Sequence, residues 1–376
     1  MAEQFVAASP VMSNDFSVQC QHLMSTFKKR GMPLPDMRHE GMIELQISGG
    51  NSQAHSGTLA GSIDIRRIEG PIRAIPVPRP STSTRLRYFL DGAQKTLPMF
   101  NLGRFPVFAS LSSAAILERS AAGDVKLAPD TLRLSHSWII PEFADDPRIA
   151  DICTALRTLG GVIIDPVASP GISKDEYARL ADDYLLMQEK AAQVTRIERQ
   201  KLERNLLASW GRNNAQSDDW IVVDGPLVSS VRNAVGLVKS FTYQYVTGYE
   251  ATNLYSLESG HRTSAFSAAN AWRNTRGAPD EIEISPTDER VLWYMRFWDA
   301  SGHDARHSLV RIETAPDFID AARIDELSSW LLAERAPRST ADARWDTLLY
   351  PIHLLEKMLK RRIDTATRSW PGARQR

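Results

Sequence analysis

Trp220-Ile221-Val222-Val223-Asp224-Gly225-Pro226-Leu227 is the stretch that decides the fold. Its apolar run is rich in β-branched residues, which predicts a buried strand. The run ends on a carboxylate, and Gly225-Pro226 then forces the chain to turn. Asp224 therefore belongs at the C-terminal lip of a sheet, where open α/β folds place their sites. An earlier stretch, Leu86-Arg87-Tyr88-Phe89-Leu90-Asp91-Gly92-Ala93, has the same form. Either strand-Asp-Gly turn alone is ordinary. Two of them can bring two carboxylates to one sheet edge.

With 376 residues, 43% of them hydrophobic and 24% charged, the chain can bury a full core as one elaborated α/β domain or as two domains. Lys plus Arg and Asp plus Glu number 45 each, so no overall positive field advertises a polyanion partner. Any nucleic-acid surface must be a local patch. Cys20 and Cys153 stand far apart without metal-ligand spacing, which excludes a disulfide framework and fits a reducing cytoplasm. The start, Met1-Ala2-Glu3-Gln4-Phe5, lacks the basic-then-apolar form of a signal peptide. No run approaches the roughly 18 apolar residues that span a bilayer. A soluble, cytoplasmic protein is expected.

Outward from the deciding strand, the spacing predicts an amphipathic helix over 14–30, ended by Gly31 and Pro33. Residues 41–80 alternate in short segments and read as a small β-rich extension, closed by Pro76-Val77-Pro78-Arg79-Pro80. Strands are expected at 85–90, 107–111 and 137–140, a helix over 149–159 and a short extended piece at 160–165. Ser173-Lys174-Asp175-Glu176 is a capping box that opens a helical pattern over 173–210. Unbroken, that pattern would span about 55 Å, so a kink or break is expected. After Asp224 the spacing of Val231, Ala234, Val235 and Val238 predicts a helix ending near Lys239-Ser240. Residues 250–285 read as irregular, 291–298 and 308–313 as a hairpin, and 322–334 and 350–363 as helices. The organisation expected is an N-terminal helix and β-rich extension over 1–80, a main domain over 81–365 and a flexible tail over 366–376.

Carboxylates at strand ends suit two-metal phosphodiester hydrolysis, because Mg²⁺ and Mn²⁺ prefer oxygen ligands and two such ions can clamp the attacking and leaving oxygens. A third carboxylate is needed, and the long helix offers Glu189, Glu198 and Glu203. Glu203, nearest the Asp224 strand, is the first choice. His353 is a candidate further ligand, or a group that positions or deprotonates a water. Lys239 is placed to stabilise phosphate charge. Ordinary alternatives accompany each: a solvated helix glutamate, a core histidine and a lysine favouring a helix dipole. Arg196, Arg199, Lys201 and Arg204 alternate with acids as a solvated face would. Lys357, Lys360, Arg361 and Arg362 are more lopsided, and Glu356 with Lys360 is an ordinary i,i+4 pair.

The ordered set of segments resembles the NurA family of nucleases. Residues 87–94 (RYFLDGAQ) are similar to its first strand-Asp-Gly motif, and 220–227 (WIVVDGPL) to its second. Residues 199–204 (RQKLER) look like the Arg-and-Glu helix preceding the second, and 234–240 (AVGLVKS) like the helix following it, which ends in Lys-Ser. Residues 261–266 (HRTSAF), 291–298 (VLWYMRFW), 309–313 (LVRIE) and 350–360 (YPIHLLEKMLK) continue in the family's order over about 85–365. The resemblance implies an α/β, RNase H-like mixed-sheet core with flanking helices. It implies Mn²⁺ (or Mg²⁺)-dependent DNA cleavage of the 5′-to-3′ exonuclease and single-strand endonuclease type. It also implies a homodimer working with a HerA-type hexameric ATPase in DNA end processing, repair or phage defence. By position, Asp91, Glu203, Asp224 and His353 match the metal-binding and catalytic set, with Lys239 and Lys357 towards phosphate. The family's usual Asp-Gly-Ser reads Asp91-Gly92-Ala93 here, and Leu354-Leu355 follow the histidine where the family has another spacing.

Two other functions start from the same residues. One is a catalytically weak structural or regulatory subunit of an ATPase complex. The other is an actin-like or sugar-kinase-fold ATPase, but the chain has neither a Gly-rich adenosine site nor a Walker A loop.

Overall fold

The computed structural model describes residues 11–31, 65–80, 83–120, 122–227, 229–240, 245–268, 289–316 and 320–368. The expectations for 1–10, for 41–64, for 269–285 and for the tail beyond 368 lie outside them.

One mixed sheet of thirteen strands runs through the described residues. In chain order it begins with the short β1 (Ile65–Arg67) and β2 (Ala74–Pro76). A long antiparallel hairpin follows, β3 (Leu86–Leu102) and β4 (Phe105–Arg119), and then β5 (Val125–Leu127), β6 (Arg133–Ile139) and β7 (Ile163–Ile164). The central pair is β8 (Trp220–Asp224) and β9 (Ala234–Val238). The last four are β10 (His261–Thr263), β11 (Phe266–Ala268), β12 (Arg290–Arg296) and β13 (Leu309–Thr314). In space the order is β1-β11-β12-β13-β9-β8-β3-β4-β6-β7, with β10 between β2 and β12 and with β5 on β4. The described helices are α1 (Val11–Lys29), α2 (Pro147–Thr158), α3 (Lys174–Asp182), α4 (Tyr184–Asn213), α5 (Tyr249–Tyr255), α6 (Ala321–Ala333) and α7 (Tyr350–Thr367). The architecture is mixed α/β. None of these helices is long and apolar enough to cross a membrane.

The long helical pattern does break, at Asp183. That residue is extended (φ −81, ψ 103) and its Oδ1 accepts the Leu186 N–H at 3.0 Å, so it ends α3 and caps α4 at once. At the start of α3, Ser173 Oγ accepts the Glu176 N–H at 3.2 Å, which is the serine half of the expected capping box. Ser173→Ala leaves that N–H to water and is expected to cost about 1 kcal/mol of stability. Urea unfolding that gave an unchanged midpoint would remove the cap from the account.

Three expectations are corrected. The segment expected to be a helix through Val231 to Val238 holds instead a strand, β9, over Ala234–Val238. β9 is buried at all five positions between β13 and β8, and a strand apolar on both faces has no alternation to read. Asp91-Gly92 is not a turn, because β4 pairs with β3 far beyond it, with Asp91 opposite Ala115 and Leu102 opposite Phe105. The stretch over 250–285 is not irregular where it is described, since it holds α5, β10 and β11. The helix α7 also continues to Thr367, which is buried, so the chain stays ordered past 365.

Within the described residues 65–80, two strands join the main sheet. β1 pairs with β11 and β2 with β10. Arg262, fully buried on β10, pairs with Glu69 at 2.6 Å and with Asp325 of α6 at 2.7 Å. A buried guanidinium keeps its charge only with such partners, so this contact stitches the extension, the sheet and α6 together. Trp138, Trp293, Trp330, Phe89 and Phe108 are buried whole in the principal core. Each contributes on the order of 1.5–3 kcal/mol by leaving water.

Candidate functional site

β8 runs parallel to β3 with Leu90 beside Val223, so the next residues of the two strands, Asp91 and Asp224, share one face. β8 ends there. Gly225 turns at φ 111, a left-handed value that a side chain would strain, and Leu227 N–H is held by Glu313 Oε2 at 3.1 Å. β3 continues, so its edge is bare of β8 from Gly92 onward. That notch is the site.

The alternation of β3 points Gln94 and Thr96 at α4: Arg199 Nε donates to Gln94 Oε1 at 3.0 Å, and Thr96 Oγ1 donates to Thr195 Oγ1 at 2.7 Å. Lys95 points the other way, to Asp364 of α7 at 2.9 Å. Gly92 is on the α4 side, and the absence of its side chain lets Glu203 lie against the strand. A Cβ there would stand 2.9 Å from Arg199 Cγ and 3.0 Å from Glu203 Cδ, closer than atoms pack. Arg199 also donates to Glu203 Oε1 in a short ion pair. A cavity of about 100 Å³ opens here, lined by Arg199, Glu203, Asp224, Gly225 and Pro226.

Charge is concentrated in this notch. Asp91 is buried, with Oδ1 accepting the Gly92 N–H at 2.7 Å and Oδ2 lacking a hydrogen-bond partner. Burial pushes its carboxyl well above the usual range, and the negative charges of Asp224, Glu203 and Glu356 add to this against the opposing pull of Lys239. Burial likewise raises Glu203; Arg199 pulls it down and Asp224 pushes it up. Lys239 Nζ donates to Asp224 Oδ2 at 2.8 Å. Although β9 is not the expected helix, it runs parallel to β8 with Leu237 beside Asp224, and parallel strands end on one edge. That brings Lys239 to the carboxylate. Asp91, Glu203 and Asp224 thus repel one another electrostatically against Lys239 and Arg199, with one buried oxygen orphaned, although their oxygens do not all lie within 4.8 Å of one another.

The His353 ring is buried on α7, where it faces other groups. Its Nδ1 lies 3.6 Å from Asp342 Oδ2 and has no hydrogen-bond partner. Asp342, His353 and Glu356 each offer one ligand atom within 4.8 Å of the others, a group that can hold a metal ion. Arg344 already bridges the two carboxylates, at 3.2 Å to Asp342 and 2.9 Å to Glu356, and Lys360 reaches Glu356 at 3.0 Å. Burial would raise both carboxyls, but the Arg344 hydrogen bonds and charge hold them below their ordinary values. Burial first and Lys357 second lower His353, so its ring is neutral at neutral pH and open to coordination.

Of the other candidates, Glu189 is exposed and Glu198 pairs with Lys201 at 3.0 Å, whereas the charge of Glu203 is felt at Asp91. Glu203 nevertheless lies on the α4 side of β3, and Asp91 points to the opposite face. Lys357 is exposed beside His353. The Glu356–Lys360 pair is present as expected, but Glu356 also projects its charge onto Asp91. Arg199 is not on a solvated face. Its signal was Gly92, since a glycine inside a long strand marks close approach of another element. No sequence signal marks Asp342 or Arg344. No family model matches the chain, and no curated protein matches it.

Proposed function

We propose that the chain is a divalent-metal-dependent DNA nuclease in which Asp91, Glu203 and Asp224 hold Mn²⁺ or Mg²⁺. The observation that carries this is Asp91 Oδ2, a buried oxygen without a partner that feels the charge of carboxylates on three other elements, Asp224, Glu203 and Glu356. A bound divalent ion supplies Lewis acidity and lowers the pKa of a coordinated water towards neutrality. The chain's residues do the rest. Lys239 has three N–H donors, and its contact with Asp224 leaves others for a phosphate oxygen. Arg199 holds Glu203 in the notch. His353, neutral at neutral pH, assists from α7 as ligand or proton acceptor, backed by Asp342.

The connectivity also supports an RNase H-like core. β3, β4 and β6 form an antiparallel meander, and β8 and β9 then join the free side of β3 in parallel, with α4 leading into β8. One departure is the link from β8 to β9 over 225–233, which is too short for the usual crossover helix. The NurA resemblance extends the proposal to a cytoplasmic homodimer that receives DNA from a HerA-type ATPase in end processing, repair or defence. A balanced charge of 45 basic against 45 acidic residues suits DNA delivered by a motor.

One observation favours a non-catalytic subunit: Asp224 and Glu203 already have internal cations in Lys239 and Arg199. Incubating labelled single- and double-stranded DNA with the protein in Mn²⁺, Mg²⁺ or EDTA separates the two. The nuclease cuts with the metal, not in EDTA, and Asp224→Asn loses at least about a hundredfold in rate. Cutting that survives Asp224→Asn refutes the site. Absence of cutting even with a HerA-type ATPase and ATP leaves the subunit role.

A further inference from the structure

A second cavity, of about 450 Å³, is lined by Lys239, Ser240, His303, Asp304, Arg306 and His307. Two of its lining residues, His303 and His307, belong to a ladder of rings. Trp298 and Trp345 have centroids 5.6 Å apart, Trp345 meets His307 edge-on at 6.3 Å, and His307 stacks on His303 at 4.0 Å with 13° between planes. His303 is exposed, so the ladder ends on a ring that lines the cavity. The segment is fastened from beneath. Buried Arg296 donates to the carbonyls of Leu257 at 2.6 Å, of Tyr255 and Ala305 at 2.9 Å, and of His307. Asp346 Oδ2 accepts the Ser308 N–H at 2.7 Å and faces His307 Nδ1 at 3.3 Å. Arg335 and Arg338 lie over Trp298, 4.0 and 5.2 Å from its centroid, so the ladder is set among cations.

Simple loop packing explains a stacked pair of histidines. It does not explain why the open end of the stack lines one cavity with Lys239, Ser240 and Arg306, two cations against the single carboxylate of Asp304. Single-stranded nucleic acid is held by that combination: an aromatic face for a base and cations for its phosphate. We propose that this cavity binds one nucleotide of a single strand, its base against His303 and its phosphate at Lys239, Ser240 and Arg306. Lys239 then touches both Asp224 and the bound strand, which sets the strand's register relative to the carboxylates. The identity of the cavity's ligand as the cleaved strand rests on the nuclease reading; the affinity for a single strand does not.

The test is fluorescence anisotropy of a short labelled oligothymidylate with the full chain in EDTA, where no cutting occurs. His303→Ala is expected to weaken binding about tenfold, the effect of losing one base stack, while His303→Phe stays within about twofold of wild type. Arg306→Ala is expected to weaken binding and to lower the salt slope by about 0.7, one phosphate contact on a single strand. A fully paired duplex, whose bases are already stacked, is expected to be indifferent to His303→Ala. Equal affinity of His303→Ala and wild type for the oligothymidylate overturns the proposal, as does no wild-type binding. Cleavage of the same strand in Mn²⁺ reads the other question. Binding that depends on His303 without any cleavage keeps this site and rejects the nuclease; cleavage with no dependence on His303 does the reverse.

Discussion

Asp91→Asn is expected to abolish metal-dependent cleavage and, in the absence of metal, to make the protein more stable. These two effects have one cause. The Asp91 carboxyl is held above the usual range by burial, then by the charge of Asp224, with Glu203 and Glu356 behind it. In the unfolded chain it titrates near the ordinary value of about 3.9. Below that value the proton is bound in both states and the group's contribution to stability is fully present. As pH rises towards the raised folded value, the unfolded chain releases its proton while the folded one keeps it, so stability is lost. Asparagine never ionises, and its amide can donate into the place where Oδ2 has no partner. The gap in Tm between Asp91→Asn and wild type in EDTA should therefore widen in favour of the variant as pH rises from about 4 towards the raised folded value. Mn²⁺ should raise the Tm of wild type much more than that of the variant, because only the ionised carboxylate gains from the ion. A variant that melts below wild type at every pH would falsify the electrostatic account of the notch.

The sequence carried the ends of this site better than its walls. Asp224-Gly225-Pro226 was legible because a β-branched run followed by a turn signal has one common outcome. The same form at Leu90-Asp91-Gly92 was misleading: a strand extended by a hairpin partner looks locally identical to one that ends. β9 was hidden because burial on both faces erases alternation, and its valines satisfy helical spacing equally well. Lys239 nevertheless reached Asp224, since a parallel strand and a helix can both return the chain to that edge. Glu203 could be selected by nearness to the deciding strand. Its hold by Arg199 could not, nor could the meeting of Asp342, Arg344 and Glu356, because those contacts exist only after α4 and α7 have docked on the sheet. His303 and His307 were unremarked loop residues. Their stack depends on carbonyls pinned by Arg296, a contact between the hairpin ends that local sequence does not signal.

Gly92→Ala is expected to cost activity far more than stability. The added methyl would meet Glu203 and Arg199, and the nearest atom it meets is the Glu203 carboxylate oxygen, the far end of a side chain that can swing away. The fold can absorb that movement. Overpacking costs typically 1–3 kcal/mol, but here the obstacle is flexible, and an alanine in mid-strand recovers roughly 0.5–1 kcal/mol over glycine. Thermal unfolding should move by only a few degrees. The carboxylate cannot swing away and remain beside Asp224, and a displacement of about 1 Å in a catalytic group can cost a hundredfold in rate. A Gly92→Ala, Glu203→Asp double variant supplies the control. The shorter acid withdraws from the methyl, so the pair should cut faster than Gly92→Ala alone although each change harms the wild type. Full activity in Gly92→Ala would mean that Glu203 has no part in the chemistry. A double variant slower than Gly92→Ala would mean that the methyl acts through the strand instead of through the acid.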